Sequence, residues 1–194
     1  MKYYILLIIL CCINTSVAIS QATLVGYYPF NGNAKDYSSR NHNGVVNSCT
    51  LVCDRFGNEN SAYFFNGQSF ITIENHDDFL FNSTDSMSVA AWVRFSTEQP
   101  DFAGIVVKGP AGTNRPGFQL VIHSRYLPAA EVTIPDDSFV RLIGHQDLYK
   151  CRWHFIVATV STKQSMINLF VDGVLVGSTS YPNIDISYKN DSPI

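Results

Sequence analysis

Charge is scarce in this chain. Asp, Glu, Lys and Arg make up 15% of its 194 residues, against about 25% in an ordinary soluble domain. Lys and Arg never cluster, so phosphates find no basic patch and nucleic acid is excluded as a partner. Past the N-terminus no apolar run is long enough for a membrane span. Helix-period apolar faces of useful length are missing as well. Catalytic and metal signatures are equally thin. The five histidines, His42, His76, His123, His145 and His154, show no His-x-His or His-Glu-x-x-His spacing. A Gly-x-Ser-x-Gly elbow does not occur.

The N-terminus reads as an export signal. Lys2 is a short positive region, Tyr3 to Ile13 is almost wholly apolar, and Ala18-Ile-Ser20 offers small residues for cleavage after Ser20. The apolar run falls short of the ~20 residues of a span. Residues 1–20 are therefore expected to be a signal peptide, and the protein secreted, whether extracellular, periplasmic or at a cell surface. Residues 21–194 form one domain, and the formal charge of −3 becomes −4 once Lys2 leaves. Three of the five cysteines remain: Cys49, Cys53 and Cys151. In an oxidising compartment one disulfide and one free thiol is the simplest sum. Cys49 and Cys53 would sit ~13 Å apart on a straight strand, so a turn between them, or pairing of either with Cys151, is required. Three buried thiols are the alternative. The spacing does not support a structural zinc site.

Aromatics are abundant, at 13%, and Tyr, Phe, Val, Ile and Thr favour pleated surfaces. Strand signals are short and frequent: Leu24 to Phe30, Ala62 to Phe65, Phe70 to Ile73, Ile105 to Val107, Phe118 to Ile122, Val132 to Ile134 and Phe139 to Ile143. Asn66-Gly67 reads as a hairpin turn between the second and third of these. Ser88 to Phe95 alternates, with Val89, Ala91, Val93 and Phe95 on one face. Apart from Thr159, Phe155 to Val160 is apolar on both faces and belongs in the middle of a sheet. Leu169-Phe-Val171 meets Asp172-Gly173, a strong two-residue hairpin signal. Many short strands without helices predict an all-β antiparallel sandwich.

Several pieces together resemble the laminin G-like, concanavalin A-like lectin/glucanase jelly rolls. They are Tyr28-Pro-Phe-Asn-Gly-Asn-Ala-Lys-Asp36, Asn43-Gly44 and Asp54-Arg-Phe-Gly-Asn-Glu-Asn-Ser-Ala-Tyr-Phe-Phe-Asn-Gly67. Met87-Ser-Val-Ala-Ala-Trp-Val93, Trp153-His154 and Val171-Asp-Gly173 follow. The resemblance covers about residues 24 to 194. It implies a jelly roll whose loops recognise ligands. Trp92 and Trp153 are expected as core anchors. Asp54-Arg55 is expected as a fixed ion pair or turn bracket, with positive φ at Gly57, Gly67 and Gly173. In the family an acidic residue followed by a polar loop helps hold calcium, which carries over to Asp36, Asn41 and Asn43 as candidate ligands. Here Ser39 and Arg40 depart from the pattern. The family continues into a closing strand beyond the position of Ile194, so the domain reads as C-terminally incomplete.

The resemblance favours recognition over catalysis. The Glu-x-Asp-x-x-Glu arrangement of the family's glucanases is missing, and Asp77-Asp78 and Asp136-Asp137 read as solvated turns. Cys151 and His154 would face opposite ways on a strand. The expected function is a non-catalytic module binding extracellular glycan or protein, with Asn114, Arg115 and Tyr126 as candidate ligand-binding residues. The alternatives are a structural or adhesion scaffold in a longer extracellular protein and, least favoured, a glycan hydrolase. Two sequons, Asn82-Ser-Thr84 and Asn190-Asp-Ser192, would mark surface sites in a eukaryotic host.

Overall fold

The computed structural model describes residues 23–80, 86–95, 101–109, 117–123, 126–133, 139–181 and 193–194. The expected signal segment and both sequons lie outside them. Among the described residues the chain forms strands and one 3-10 turn, Asp77–Phe79. The strands are β1 (Gly44–Asn47), β2 (Thr50–Val52), β3 (Ala62–Phe64), β4 (Phe70–Ile73), β5 (Ser86–Val93) and β6 (Ala103–Lys108). They continue as β7 (Phe118–His123), β8 (Leu127–Thr133), β9 (Phe139–Ile143), β10 (His154–Ser161), β11 (Met166–Val171) and β12 (Val174–Ser180).

Two four-stranded antiparallel sheets face each other, in the orders β12-β11-β10-β5 and β6-β7-β8-β9. Period-2 alternation builds the core between them. Ile156, Ala158 and Val160 of β10 and Ile167, Leu169 and Val171 of β11 meet Leu120 and Ile122 of β7, Ala130 and Val132 of β8, and Leu142 of β9. Complete burial of a Val, Leu or Ile side chain contributes about 1.5–3 kcal/mol. β10 lies between β11 and β5, as its two apolar faces demand.

The Asp172-Gly173 hairpin forms as expected. Val171 pairs with Val174, and φ is 50° at Asp172 and 84° at Gly173, the two left-handed positions of a type I′ turn. The Asp172 carboxylate also accepts from the Phe155 N–H (2.8 Å) and contacts His154 Nδ1 (2.8 Å). The Tyr149 N–H donates to His154 Nε2 (3.1 Å), so the ring carries its proton on Nδ1, toward Asp172. The matched pairs Trp153-His154 and Asp172-Gly173 are thus one structural device.

Other expectations need correction. Ala62–Phe64 and Phe70–Ile73 do not pair with each other: β3 pairs with β2 and β4 with β1. Gly67 still has positive φ (88°), but Asn66 Oδ1 accepts from the Gln68 and Ser69 N–H groups, making a local turn rather than a ladder. Leu24 to Phe30 forms no strand; the Tyr37 N–H reaches Tyr27 O, and the Asp36 side chain takes the Tyr27 N–H. Trp92 is not a core anchor. It points outward from β5, 42% exposed, packs on Phe155 at 5.1 Å and lies 4.5 Å from the Arg55 guanidinium. The turn-bracket expectation for Asp54 holds, since its carboxylate accepts from the Phe56 and Asn58 N–H groups.

The expected disulfide is not formed. Cys49, Cys53 and Cys151 are all free thiols, and the latter two are exposed. β2 runs extended between Cys49 and Cys53, where a bridge between those two would need a turn.

Candidate functional site

The outer face of the β6–β9 sheet gathers the most chemistry. Three apolar strands place polar residues at adjacent outward positions near the middle of the face: Gln119 in β7, Glu131 in β8 and Arg141 in β9. The register sets them side by side, Gln119 opposite Glu131 and Glu131 opposite Arg141. Arg141 Nε donates to Glu131 Oε1. Both partners are largely shielded, with side-chain exposures of 29% and 12%.

Aromatic rings flank this pair. The Arg141 guanidinium lies 4.4 Å from the Phe102 ring centroid and 4.8 Å from that of Phe139. Phe102 also meets His123 edge-on at 4.8 Å. Phe102 precedes β6 at one edge of the sheet and Arg141 stands on β9 at the other, so their stack passes over the two middle strands. Val121 and Ala129, which face outward there, are accordingly 1% and 0% exposed. Gly104, Val121 and Ala129 pair across β6, β7 and β8 on this face. Phe102 and Phe139 remain exposed at 40% and 52%. The face thus combines open ring surfaces with fixed donors and acceptors. Such a mixture stacks on the C–H face of a sugar and bonds its hydroxyls.

The sequence pointed elsewhere. Asn114 and Arg115 lie outside the described residues. Tyr126 is half-buried: its ring stacks on Phe95 (5.1 Å, planes 6° apart), and the Lys150 ammonium lies 4.9 Å from its centroid. Its hydroxyl is buried without a hydrogen-bond partner. The signal that could have found Glu131 and Arg141 is the lone charge inside an apolar strand, readable from Ala129-Ala-Glu-Val132 and Phe139-Val-Arg-Leu-Ile143.

Asp36, Asn41 and Asn43 do come together. Asp36 is 7% exposed. Its Oδ1 accepts from the Tyr27 and Ser38 N–H groups (2.9 and 2.8 Å). Its Oδ2 accepts from the Ser38 hydroxyl and the His42 N–H (2.7 and 2.9 Å). Burial pushes this carboxyl up, but these hydrogen bonds outweigh it and hold the group below the ordinary value of 3.8. The Asp36 N–H donates to Asn43 Oδ1 (3.0 Å), and Asn41, with φ of 62°, offers its carbonyl to the Asn43 N–H. Calcium needs six to eight oxygens. As folded, these donors occupy the Asp36 and Asn43 oxygens, so the set does not fit calcium without displacing them.

Sandwich layers and antiparallel order define an all-β jelly-roll module. The chain belongs to the concanavalin A-like lectin/glucanases superfamily, whose family pattern matches residues 65–194. No curated protein matches the chain at a comparable level. Among solved structures it is similar to domain 4 of AbnA, an extracellular arabinanase from Geobacillus stearothermophilus, determined in complex with arabinotriose. That likeness has a TM-score of 0.62 and 15% identity over 88% of this chain and 81% of that one. It is also similar to the binding domain of Paraclostridial Mosquitocidal Protein 1, with TM-score 0.60, 18% identity and 82% of this chain covered. The binding domain of Botulinum Neurotoxin DC, in complex with SialylT, gives TM-score 0.60 and 13% identity over 87% of this chain. The chain spans only 40% and 41% of those two binding domains. At these identities the likeness establishes the fold.

Proposed function

We propose that the protein is a secreted, non-catalytic glycan-recognition module that binds through the outer face of the β6–β9 sheet. The observation that carries this is the Arg141 guanidinium set between the exposed rings of Phe102 and Phe139 while paired to Glu131. Support comes from neighbours of the same fold determined with arabinotriose and SialylT. Export rests on the apolar leader of residues 1–20. Hydrolysis would need a second carboxylate facing the first, and Glu131 is the one carboxylate on the described strands of this face, tied to Arg141. Calcium assistance enters as a measurement: a loop closed by its own hydrogen bonds melts at the same temperature in calcium and in chelator.

Residues 21–194 are screened on a glycan array, and hits are titrated by calorimetry. Phe139→Ala and Arg141→Ala are each expected to weaken binding about tenfold, the equivalent of one lost contact of ~1.4 kcal/mol. Trp92→Ala, on the opposite sheet, should leave it unchanged. Binding that survives Phe139→Ala and Arg141→Ala sinks the assignment. A second reading, a protein-docking scaffold, is favoured by the exposed Trp92 and Phe155 pair capped by Arg55. Trp92→Ala that abolishes capture of a protein ligand while sugars do not compete would select it.

A further inference from the structure

Two loops meet at one end of the β1–β4 ladder. Gly44 pairs with Ile73, which brings the residues before β1 beside those after β4. There His42 Nε2 lies 2.8 Å from Asp78 Oδ2, and His76 Nδ1 lies 3.4 Å from the same oxygen. One ligand-type atom from each of the three residues falls within 4.8 Å of the others. His42 is firmly held. Its N–H donates to Asp36 Oδ2 (2.9 Å), its carbonyl accepts from the Tyr28 hydroxyl (2.6 Å), and its ring packs 4.7 Å from Phe79. The Asp36 loop therefore serves to fix an imidazole.

Hydrogen bonds leave one contact of this cluster without a proton. The Asp78 backbone N–H donates to His76 Nδ1 (3.1 Å), so that nitrogen carries no hydrogen and its one lone pair accepts from this N–H. His76 Nδ1 and Asp78 Oδ2 are then two acceptors 3.4 Å apart. His42 can direct a hydrogen at Oδ2, but nothing bridges Oδ2 and His76. A cation among the three groups would bridge these acceptors, taking the place of the hydrogen bonds that His76 and His42 make with Asp78.

We propose that His42, His76 and Asp78 form a site for a divalent transition-metal cation of the zinc type. Two imidazole nitrogens and one carboxylate oxygen suit zinc, copper or nickel, whereas calcium and magnesium favour all-oxygen sets. Zinc bonds of about 2.0–2.2 Å need a small opening of the His42–Asp78 contact and release of His76 Nδ1 from the Asp78 N–H. Arg40 Nη1, 3.6 Å from Asp78 Oδ1, engages the other oxygen, so Asp78 binds through Oδ2 alone. Three protein ligands leave a fourth position open to water or a ligand oxygen.

The test uses the mature chain, residues 21–194, free of any affinity tag, with Cys49, Cys53 and Cys151 changed to Ser so that thiols do not compete. Zinc chloride is titrated by calorimetry, and melts are run with zinc and with calcium. One zinc per chain and a Tm rise of about 5 °C at saturation are expected, with no response to calcium. His76→Asn keeps a capping oxygen for the Asp78 N–H while removing the imidazole. Asp78→Asn removes the charge. Each should weaken zinc at least tenfold, and cobalt should give visible absorption bands in the parent but not in these variants. His76 is exposed, so His76→Asn decides the matter if Asp78→Asn does not fold. The assignment is overturned by no zinc response, by a response kept in His76→Asn, or by calcium acting as strongly as zinc.

Discussion

At the scale of single residues, burial without a partner is more informative than exposure. The Tyr126 ring is packed between sheets and loop, yet its hydroxyl has no hydrogen-bond partner. Such a group carries a desolvation cost of about 1–3 kcal/mol that an apolar replacement of the same shape avoids. Tyr126→Phe is therefore expected to leave stability unchanged or raise it by about 1 kcal/mol, read as the urea midpoint. A loss of 1 kcal/mol or more would mean that the hydroxyl does have a partner in solution. Tyr126 stood out in the sequence for its aromatic-plus-polar loop setting, which does not reveal that its ring faces inward. Trp92 misled in the reverse sense. Its size suggested the core, while the alternation of β5 had already set it on the face opposite Val89, Ala91 and Val93.

At the scale of elements, one glycine shows what local pattern leaves out. Gly117 precedes β7 and looks like ordinary turn punctuation. A Cβ there would lie 2.1 Å from the Lys108 carbonyl oxygen, a backbone atom that cannot swing aside. Gly117→Ala should therefore cost about 3 kcal/mol or more by forcing β6 and β7 apart. Gly104→Ala meets only the Val107 Cγ2 methyl, at 2.9 Å, and should cost under about 1 kcal/mol because that side chain can rotate. Comparing the two denaturation midpoints checks this, and equal losses would refute the backbone argument. Strand existence was legible because alternation and turn residues are local: β5, β7, β9, β10 and the β11–β12 hairpin follow from them. Partner choice was not. Asn66-Gly67 says that the chain turns, but nothing local says that β3 then pairs with β2 and β4 with β1. The same limit hid the zinc-type cluster, since His42 and Asp78 stand far apart in the chain and meet only through the Gly44–Ile73 register.

At the scale of the whole molecule, loop carboxylates tie the sandwich to its connections, and this fixes how stability answers pH. Burial pushes the carboxyls of Asp36 and Asp172 up. In Asp36 it is outweighed by hydrogen bonds from Tyr27, Ser38 and His42, in Asp172 by those from Phe155 and His154. In Asp78 the hydrogen bond from His42 leads, with burial opposing and Arg40 assisting. All three sit below the ordinary 3.8 in the folded chain. A depressed carboxylate contributes stability that is fully present above its unfolded value and is lost as pH falls through the folded one. The urea midpoint should therefore change little with these groups from pH 7 to about 5 and drop steeply below about pH 4. Asp36→Asn should be less stable at pH 7 and show a shallower acid limb, because its share of the linkage is gone. A parent midpoint that stays level down to about pH 2.5, or an Asp36→Asn limb as steep as the parent's, would show that the loop hydrogen bonds do not carry the acid sensitivity. The outcome bears on the metal proposal too, because His42 depends on the Asp36 carboxylate for its position. Asp36→Asn should therefore weaken zinc binding at pH 7 severalfold, and an affinity equal to the parent's would uncouple the two.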